Sequence, residues 1–141
     1  MKTLKTLTAA LLIIFSSAAF AADDAESNKS KMTYALNSYI EAVSKGNIKG
    51  IAAILDADVK YTIAKSNGVI SFNKSQLLEY FKGMENIEQN CATSYSVLEL
   101  GRDQTLIKVS MKYDGFTKLN FVTLNNTDKG WKITNISVTF E

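Results

Sequence analysis

The second half of the chain alternates apolar and polar residues with a period of two, and this pattern constrains the fold more than any other feature. Ile107, Val109 and Met111 alternate with Lys108 and Ser110. Such alternation is typical of a β-strand with one buried face. Neighbouring segments show a similar pattern, and turn signals separate them. The sequence therefore predicts four consecutive strands, at residues 91–100, 104–113, 116–124 and 131–140.

The last of these strands changes phase midway. Trp131 and Ile133 share one phase, whereas Ile136 and the apolar residues after it share the other. One extra residue near Thr134-Asn135 would return all of them to a single face. We therefore predict a β-bulge at that point, which also bends the sheet.

Helical spacing precedes the strands. Apolar residues between Met32 and Val43 recur every three or four positions, which predicts a helix over residues 30–44. The Gly46-Asn47 step ends that helix, and a short second helix is predicted over residues 48–55. We interpret Asp56-Ala57-Asp58 as the end of the second helix.

A hairpin and a third helix are predicted between these elements. Residues 59–64 alternate, and Asn67-Gly68 is a typical hairpin turn before a return strand at residues 69–72. Asn73 followed by Gln76 forms a capping-box pair at the start of the third helix. The order is α-α-β-β-α-β-β-β-β. Helices beside a curved antiparallel sheet indicate the α+β class.

The first 21 residues have the features of a signal peptide. Lys2 and Lys5 precede an apolar run, and Ala19-Phe20-Ala21 fits the small-x-small cleavage rule. The run is short for a membrane span. We expect residues 1–21 to be removed, residues 22–31 to form a disordered leader and residues 32–141 to form one domain. The protein is then periplasmic or secreted, with no membrane span after cleavage.

The composition excludes several kinds of chemistry. The 141 residues include no His, no Pro and one Cys, which excludes a Ser-His-Asp triad, a Cys-His dyad and an imidazole-ligated metal site. We expect no metal and no cofactor. Without Lys2 and Lys5 the basic and acidic residues are equal in number, so no nucleic-acid partner is expected. Cys91 is expected to be a packed free thiol, with an intermolecular disulfide as the alternative.

The order of elements resembles the nuclear-transport-factor-2-like superfamily, also called the cystatin-like cone fold. The features that carry the resemblance span about residues 32–141: Gly46-Asn47, Asp56-Ala57-Asp58-Val59, Asn67-Gly68, the Asn73-capped helix and the Gly130-Trp131-Lys132-Ile133 strand. Within the superfamily the chain looks most similar to small secreted proteins that carry a lumazine-binding label. The resemblance implies a curved sheet around a long helix, a conical cavity and often a homodimer through the outer face of the sheet.

Aromatic side chains on apolar phases are the candidate ligand-binding residues. In a cone cavity a flat ring can stack on a ligand, and a phenol can donate a hydrogen bond. Packing in the core is the simpler interpretation of each of them. The candidates are Tyr39, Tyr61, Phe81, Tyr113 and Trp131.

Carboxylates are the candidates for catalysis, because the resemblance implies that isomerase-like and cyclase-like members use a carboxylate inside the cavity. Burial can tune the pKa of such a group for proton transfer. Asp58 and Glu99 are the residues with any access to this role, and Glu99 shares a period-two phase with Tyr95 and Val97. A solvent-facing position is the simpler interpretation of both carboxylates.

Three functions remain open at this point. The sequence favours an exported, non-catalytic domain that binds a small hydrophobic or aromatic ligand in its cavity. The alternatives are a dimeric interaction module and an isomerase- or cyclase-like enzyme. Lys108, Ser110 and Lys112 make the outer face of one strand polar, which argues against a large apolar interface and allows a modest dimer.

Overall fold

The computed structural model describes residues 31–141, and its helices and strands follow the predicted order. The predicted signal peptide and residues 22–30 of the predicted leader lie outside the described residues. The helices are α1 (residues 31–45), α2 (Ile51–Ile54) and α3 (Lys74–Gly83). The strands are β1 (Leu55–Lys65), β2 (Gly68–Phe72), β3 (Ala92–Leu100), β4 (Gln104–Lys112), β5 (Thr117–Thr127) and β6 (Gly130–Phe140). Within residues 31–141 we find no helix with the length and apolar character that a membrane span needs.

The strands form one curved, unclosed sheet in the order β2-β1-β6-β5-β4-β3. Neighbouring strands pair antiparallel, except that β1 and β6 pair parallel. The α+β class is confirmed, and the expectation of a wholly antiparallel sheet is corrected to a mixed sheet. Strands β1 and β6 are far apart in the sequence, so no turn between them fixes their relative direction.

The start of β1 differs from the sequence prediction. Helix α2 is a single turn, and the strand begins at Leu55, so the Asp56–Asp58 segment belongs to β1 and does not end a helix. Leu55 pairs with Ile133 of β6, and the ladder is irregular before it resumes at Lys60. Leu55, Ala57 and Val59 alternate with Asp56 and Asp58, so the period-two pattern of β1 already begins at Leu55, and the interpretation of Asp56-Ala57-Asp58 as a helix end is wrong.

The predicted β-bulge in β6 is confirmed. Thr123 of β5 pairs with Asn135, whereas the next residue, Leu124, pairs with Ile133. Thr134 is therefore the extra residue. The apolar residues on both sides of it face the core, as the change of phase predicted.

The three helices pack on one face of the sheet, which we call the inner face. Buried residues from the helices and from β1, β4, β5 and β6 form one apolar cluster on this face. Alternate residues of β4 and β5 point inward, and they pair across the two strands. These inward pairs are Thr105–Leu124, Ile107–Val122, Val109–Asn120 and Met111–Lys118.

The end of α1 is fixed to the segment between α3 and β3. Gly46 has a positive φ of 69°, and its carbonyl accepts a hydrogen bond from the Asn86 N–H at 2.9 Å. The Gln89 N–H donates to the Ser44 carbonyl at 2.7 Å. A Cβ at position 46 would lie within 3.0 Å of backbone atoms of Met84 and Asn86. Only glycine fits this approach without a shift of the backbone.

Helix α3 begins with the predicted capping box. The Gln76 N–H donates to the Asn73 side chain, and the Asn73 N–H donates to the Gln76 side chain, each at 3.0 Å. Leu77 and Phe81 point from this helix into the core. The cap sets the start of α3, and the buried pair sets the face that α3 presents to the sheet.

Candidate functional site

Three of the predicted ligand-binding residues lie deep in the core. Tyr39, Tyr61 and Phe81 are fully buried, and the rings of Tyr39 and Phe81 meet edge to face with their centroids 6.4 Å apart. The ring of Tyr80 connects this group to Tyr61, because its centroid lies 5.8 Å from Phe81 and 6.0 Å from Tyr61. These rings pack against one another, so core packing accounts for much of their contact surface.

Tyr39 is held by a buried polar pair. Its hydroxyl donates to the Asn120 Oδ1 atom at 3.0 Å, and the Asn120 amide donates to the Val109 carbonyl at 3.3 Å. Burial, more than the nearby phenols, raises the pKa of Tyr39 well above its usual range. The pair joins α1 to β5 and β4, and the buried Tyr39 hydroxyl and Asn120 amide both have hydrogen-bond partners.

The Tyr61 hydroxyl contrasts with that of Tyr39. Within residues 31–141 its oxygen is buried and has no hydrogen-bond partner. Burial, followed by the neighbouring phenol of Tyr80, raises the pKa of Tyr61 above its usual range. Burial also raises the pKa of Tyr80, which is half-buried.

Tyr113 lies at the edge of the core, just after β4. Its hydroxyl donates to the Gln89 Oε1 atom at 2.9 Å, and its ring stacks on Phe116 with a centroid distance of 4.6 Å and an interplanar angle of 11°. Burial, followed by the nearby Cys91 thiol, raises the pKa of Tyr113 to about 12. The Cys91 Sγ atom lies 3.5 Å from the hydroxyl of Thr93.

Lys118 is the most unusual side chain at this end of the sheet. It lies on the inner face of β5, opposite Met111 of β4 and Phe140 of β6, and it is only 9% exposed. Among residues 31–141 no carboxylate pairs with its amine, and the ion pair found there joins Lys45 to Glu41. Burial lowers the pKa of the Lys118 amine below its usual value, and the Cys91 thiol opposes this change only in part.

Aromatic residues lie next to Lys118, because Phe140 pairs with it across β5 and β6 and Phe116 precedes it by two residues. Phe116 is 46% exposed and Phe140 is 50% exposed, and their ring centroids lie 6.1 Å apart. The stack of Tyr113 on Phe116 continues the same surface. We call the whole group the mouth site, and it consists of Tyr80, Cys91, Tyr113, Phe116, Lys118 and Phe140.

The sequence analysis missed Lys118, although a signal was present. Lys118 and Asn120 share a period-two phase with Val122 and Leu124, which are apolar. Two polar residues on the buried phase of a strand indicate a polar site on the inner face of the sheet. Of the five predicted ligand-binding residues, Tyr113 belongs to the mouth site.

Trp131 lies far from the mouth site. It pairs with Asn126 beside the β5–β6 turn, whereas Lys118 pairs with Phe140 at the opposite end of the same two strands. Its indole N–H is buried and has no hydrogen-bond partner within residues 31–141. The structure therefore does not bring Trp131 together with Tyr113.

The two carboxylate candidates also lie outside the mouth site. Glu99 pairs with Leu106, whereas Val97 pairs with Ile107, and the register shift between them turns the Glu99 side chain away from the inner face. Asp58 is exposed in the irregular part of β1, beside an open cleft of about 550 Å³. The cleft also contains Asn73 and Gln76, whose side chains cap α3.

A second cleft lies at the end of α2. Its volume is about 310 Å³, and Lys74 and Lys132 line it. The Lys74 amine donates to the Leu55 carbonyl at 2.9 Å, and the Lys132 amine donates to the Ala53 carbonyl. These lysines bind backbone groups, so they have a structural role. Within residues 31–141 no three His, Cys, Asp or Glu side chains are placed to hold a metal ion.

Comparison with known proteins shows similarity in structure and not in sequence. No protein-family model matches the chain, and no curated protein matches it. A nuclear-transport-factor-2-like protein of unknown function from Silicibacter pomeroyi matches with a TM-score of 0.63 at 14% identity, over 83% of this chain and 97% of that chain. A ketosteroid isomerase-like protein from Erwinia carotovora matches with a TM-score of 0.61 at 13% identity, over 79% of this chain and 94% of that chain. Identities this low show a shared fold and leave the chemistry of this chain open.

Proposed function

We propose that this chain, which has the nuclear-transport-factor-2-like fold, is a non-catalytic domain that binds a small hydrophobic or aromatic ligand at the mouth site. The solved structures support the fold, which the order of elements in the sequence predicted. The fold is used both for binding and for isomerase-like chemistry, so the residues of the site must carry the argument.

The observation that carries the proposal is the burial of Lys118 without a partner. The Lys118 side chain is only 9% exposed, its amine keeps contact with solvent, and within residues 31–141 no carboxylate pairs with it. The amine therefore lies at the border between the apolar core and solvent, where an unpaired charge is less well solvated than at an open surface. The lysines near α2 show that this fold can supply backbone carbonyls to an amine. An unpartnered amine in an otherwise apolar surrounding is typical of a site that a ligand completes.

The aromatic rings beside Lys118 indicate the shape of the ligand. Tyr113, Phe116 and Phe140 present ring faces and edges at the surface. Exposed aromatic surface next to one polar group favours a flat apolar molecule with one polar end. This is the ligand class that the sequence favours. Tyr113 is the residue of the mouth site that the sequence predicts.

The mouth site offers little support for the isomerase-like alternative. That chemistry needs a carboxylate on the inner face to move a proton. Asp58 and Glu99 both lie elsewhere, and the two carboxylates that border the mouth site, Asp114 and Glu141, are exposed to solvent. We therefore assign no catalytic residue.

An interaction module is the second candidate, because the β3 edge of the sheet is exposed. Tyr95, Val97, Leu98 and Leu100 are large apolar side chains at the surface of this edge strand. An edge with free backbone groups and apolar side chains is a typical place for another strand to pair. A homodimer is the partner we propose here, and light scattering after gel filtration distinguishes a dimer from a monomer.

Export is part of the proposal. Two lysines, an apolar run and a small-x-small step within residues 1–21 support a signal peptide. We expect the protein in the exported fraction of its host to begin at Ala22. Amino-terminal sequencing of that fraction tests this, and a chain that retains Met1 would contradict it.

Ligand binding is tested with 2-naphthol, a flat, neutral aromatic probe, followed by amide chemical shifts. We expect saturable binding, with shifts at Tyr113, Phe116 and Lys118. Phe116→Ala should weaken binding at least about tenfold, because a ring that contacts the probe is lost. Tyr95→Ala is the matched control, because Tyr95 is 52% exposed on a different strand. No saturable binding, or shifts centred on β3, would contradict the proposal.

A further inference from the structure

We propose that the ligand of the mouth site carries a carboxylate, and that Lys118 binds it as its counter-ion. The inference rests on the proposed function, since it names the chemistry of the polar end of that ligand. It concerns a residue that the sequence analysis did not select.

The first step of the argument is the position of Lys118. Its side chain is on the inner face of β5 in a cross-strand row that runs through Met111 and Phe140. The flanking strands therefore place an apolar side chain on each side of the amine. These side chains cover the aliphatic stem of Lys118 and leave its amine in contact with solvent, where a ligand can reach it.

The second step is the absence of an internal counter-ion. Among the titratable groups around Lys118, the Cys91 thiol is the one that affects the pKa of its amine. Tyr113 and Tyr80 complete the ionisable groups of the mouth site, and burial raises the pKa of both phenols, so they stay neutral near pH 7. Within residues 31–141 nothing at the site offsets a positive charge.

The third step is a comparison among the lysines of the same chain. Lys74 and Lys132 both reach backbone carbonyls, and Lys45 reaches Glu41. Lys118 is the more deeply buried side chain and forms no such bond among the described residues. A negatively charged partner from outside the chain would account for this difference, whereas a neutral ligand would leave the charge of Lys118 unpaired.

The fourth step decides between kinds of anion. A phosphate group is usually held by several donors, such as paired arginines or the N-terminus of a helix. The mouth site supplies one amine, and the chain's one arginine, Arg102, lies in the β3–β4 turn. One positive charge among aromatic rings matches a singly charged carboxylate on a flat apolar body.

The test compares 2-naphthoate with 2-naphthol, which share a ring system and differ in charge at pH 7. We expect the wild-type protein to bind 2-naphthoate at least about tenfold more tightly, since its carboxylate forms a charge-assisted hydrogen bond with the Lys118 amine beside apolar side chains. Lys118→Met should remove this preference, so that the variant binds the two probes with about equal affinity. Lys118→Gln serves as a second, polar variant.

Lys132→Met is the control, because Lys132 also lies on a strand of this sheet but its amine donates to a backbone carbonyl far from the mouth site. Its preference for 2-naphthoate should equal that of the wild type. Equal affinity of wild type for both probes, or an unchanged preference in both Lys118 variants, would overturn the inference and leave ligand binding intact. Failure of both probes to bind would overturn the inference together with the proposed function.

Discussion

Lysines at the two ends of the β5–β6 pair differ in whether their amines have a partner within the protein. At the end beside the β5–β6 turn, Lys132 donates to the Ala53 carbonyl, and Lys74 donates to the Leu55 carbonyl nearby. At the other end, Lys118 is buried among aromatic rings and has no counter-ion within residues 31–141. The difference separates lysines that stabilise the fold from a lysine that the fold alone does not explain.

The strongest test of the mouth end concerns the backbone that supports it. Gly46→Ala should lower the free energy of unfolding by about 3 kcal/mol or more. Position 46 has a left-handed backbone conformation, and the added Cβ would clash with backbone atoms of Met84 and Asn86. Gly130→Ala, at the other end, has a positive φ of 95° and open space around its Cβ position. We expect it to cost about 1–2 kcal/mol. Urea unfolding of both variants measures the difference, and equal costs would show that the Gly46 contact contributes nothing.

The two buried tyrosines provide the next largest effect. Tyr39→Phe removes the donor to Asn120 and leaves a buried oxygen unpaired, which should cost about 1–3 kcal/mol. Tyr61→Phe removes a hydroxyl that lies near the Tyr80 phenol and forms no well-aligned hydrogen bond within residues 31–141, so it should cost less than Tyr39→Phe. Thermal or urea unfolding compares the two. A larger loss for Tyr61→Phe would mean that its hydroxyl has an acceptor in solution.

The lysine comparison itself is tested by two matched substitutions. Lys118→Met removes a buried, unpaired charge and should stabilise the ligand-free protein by about 1 kcal/mol. Lys132→Met removes a bond to a carbonyl and should destabilise it by about 0.5 kcal/mol. Opposite signs in the measured free energies of unfolding support the comparison. The same sign for both variants would break it.

The pH dependence of stability gives the smallest effect. Burial lowers the pKa of Lys118 in the folded state, so its charge destabilises the fold at pH values below the folded pKa. This cost is relieved as the pH rises through the folded pKa toward 10.5, the usual value. The gap in stability between Lys118→Met and wild type should therefore narrow as the pH rises through the folded pKa toward 10.5. The raised phenol pKa values act equally in both proteins, so they cancel in the difference.

The sequence predicts the fold wherever the determining contact leaves a local pattern. The bulge at Thr134 follows from the phase change between Ile133 and Ile136, and the α3 cap follows from Asn73 and Gln76. The parallel pairing of β1 with β6 leaves no such pattern, because the two strands are far apart in the sequence. Long-range pairing of this kind is not encoded in the residues next to it.

The candidate site was harder to predict for a related reason. A tyrosine such as Tyr113 is a recognised ligand-binding type, and its phase in β4 was visible. A lysine in a strand ordinarily points to solvent, so Lys118 alone does not indicate a site. Together with Asn120, which shares its period-two phase, it indicates polar residues on the buried face of β5. Its burial depends on packing across β4, β5 and β6, which the local sequence does not display.

Lys118 has a largely buried side chain and no counter-ion within residues 31–141, and the titration of its amine shows whether this environment differs from that of the other lysines. Lysine labelled with carbon-13 at Cε reports the pKa of each amine by NMR, and Lys118→Met assigns the signal. We expect Lys118 to titrate below the other lysines in the free protein and to move up when 2-naphthoate binds. Titration of Lys118 together with the surface lysines, unchanged by 2-naphthoate, would contradict the account.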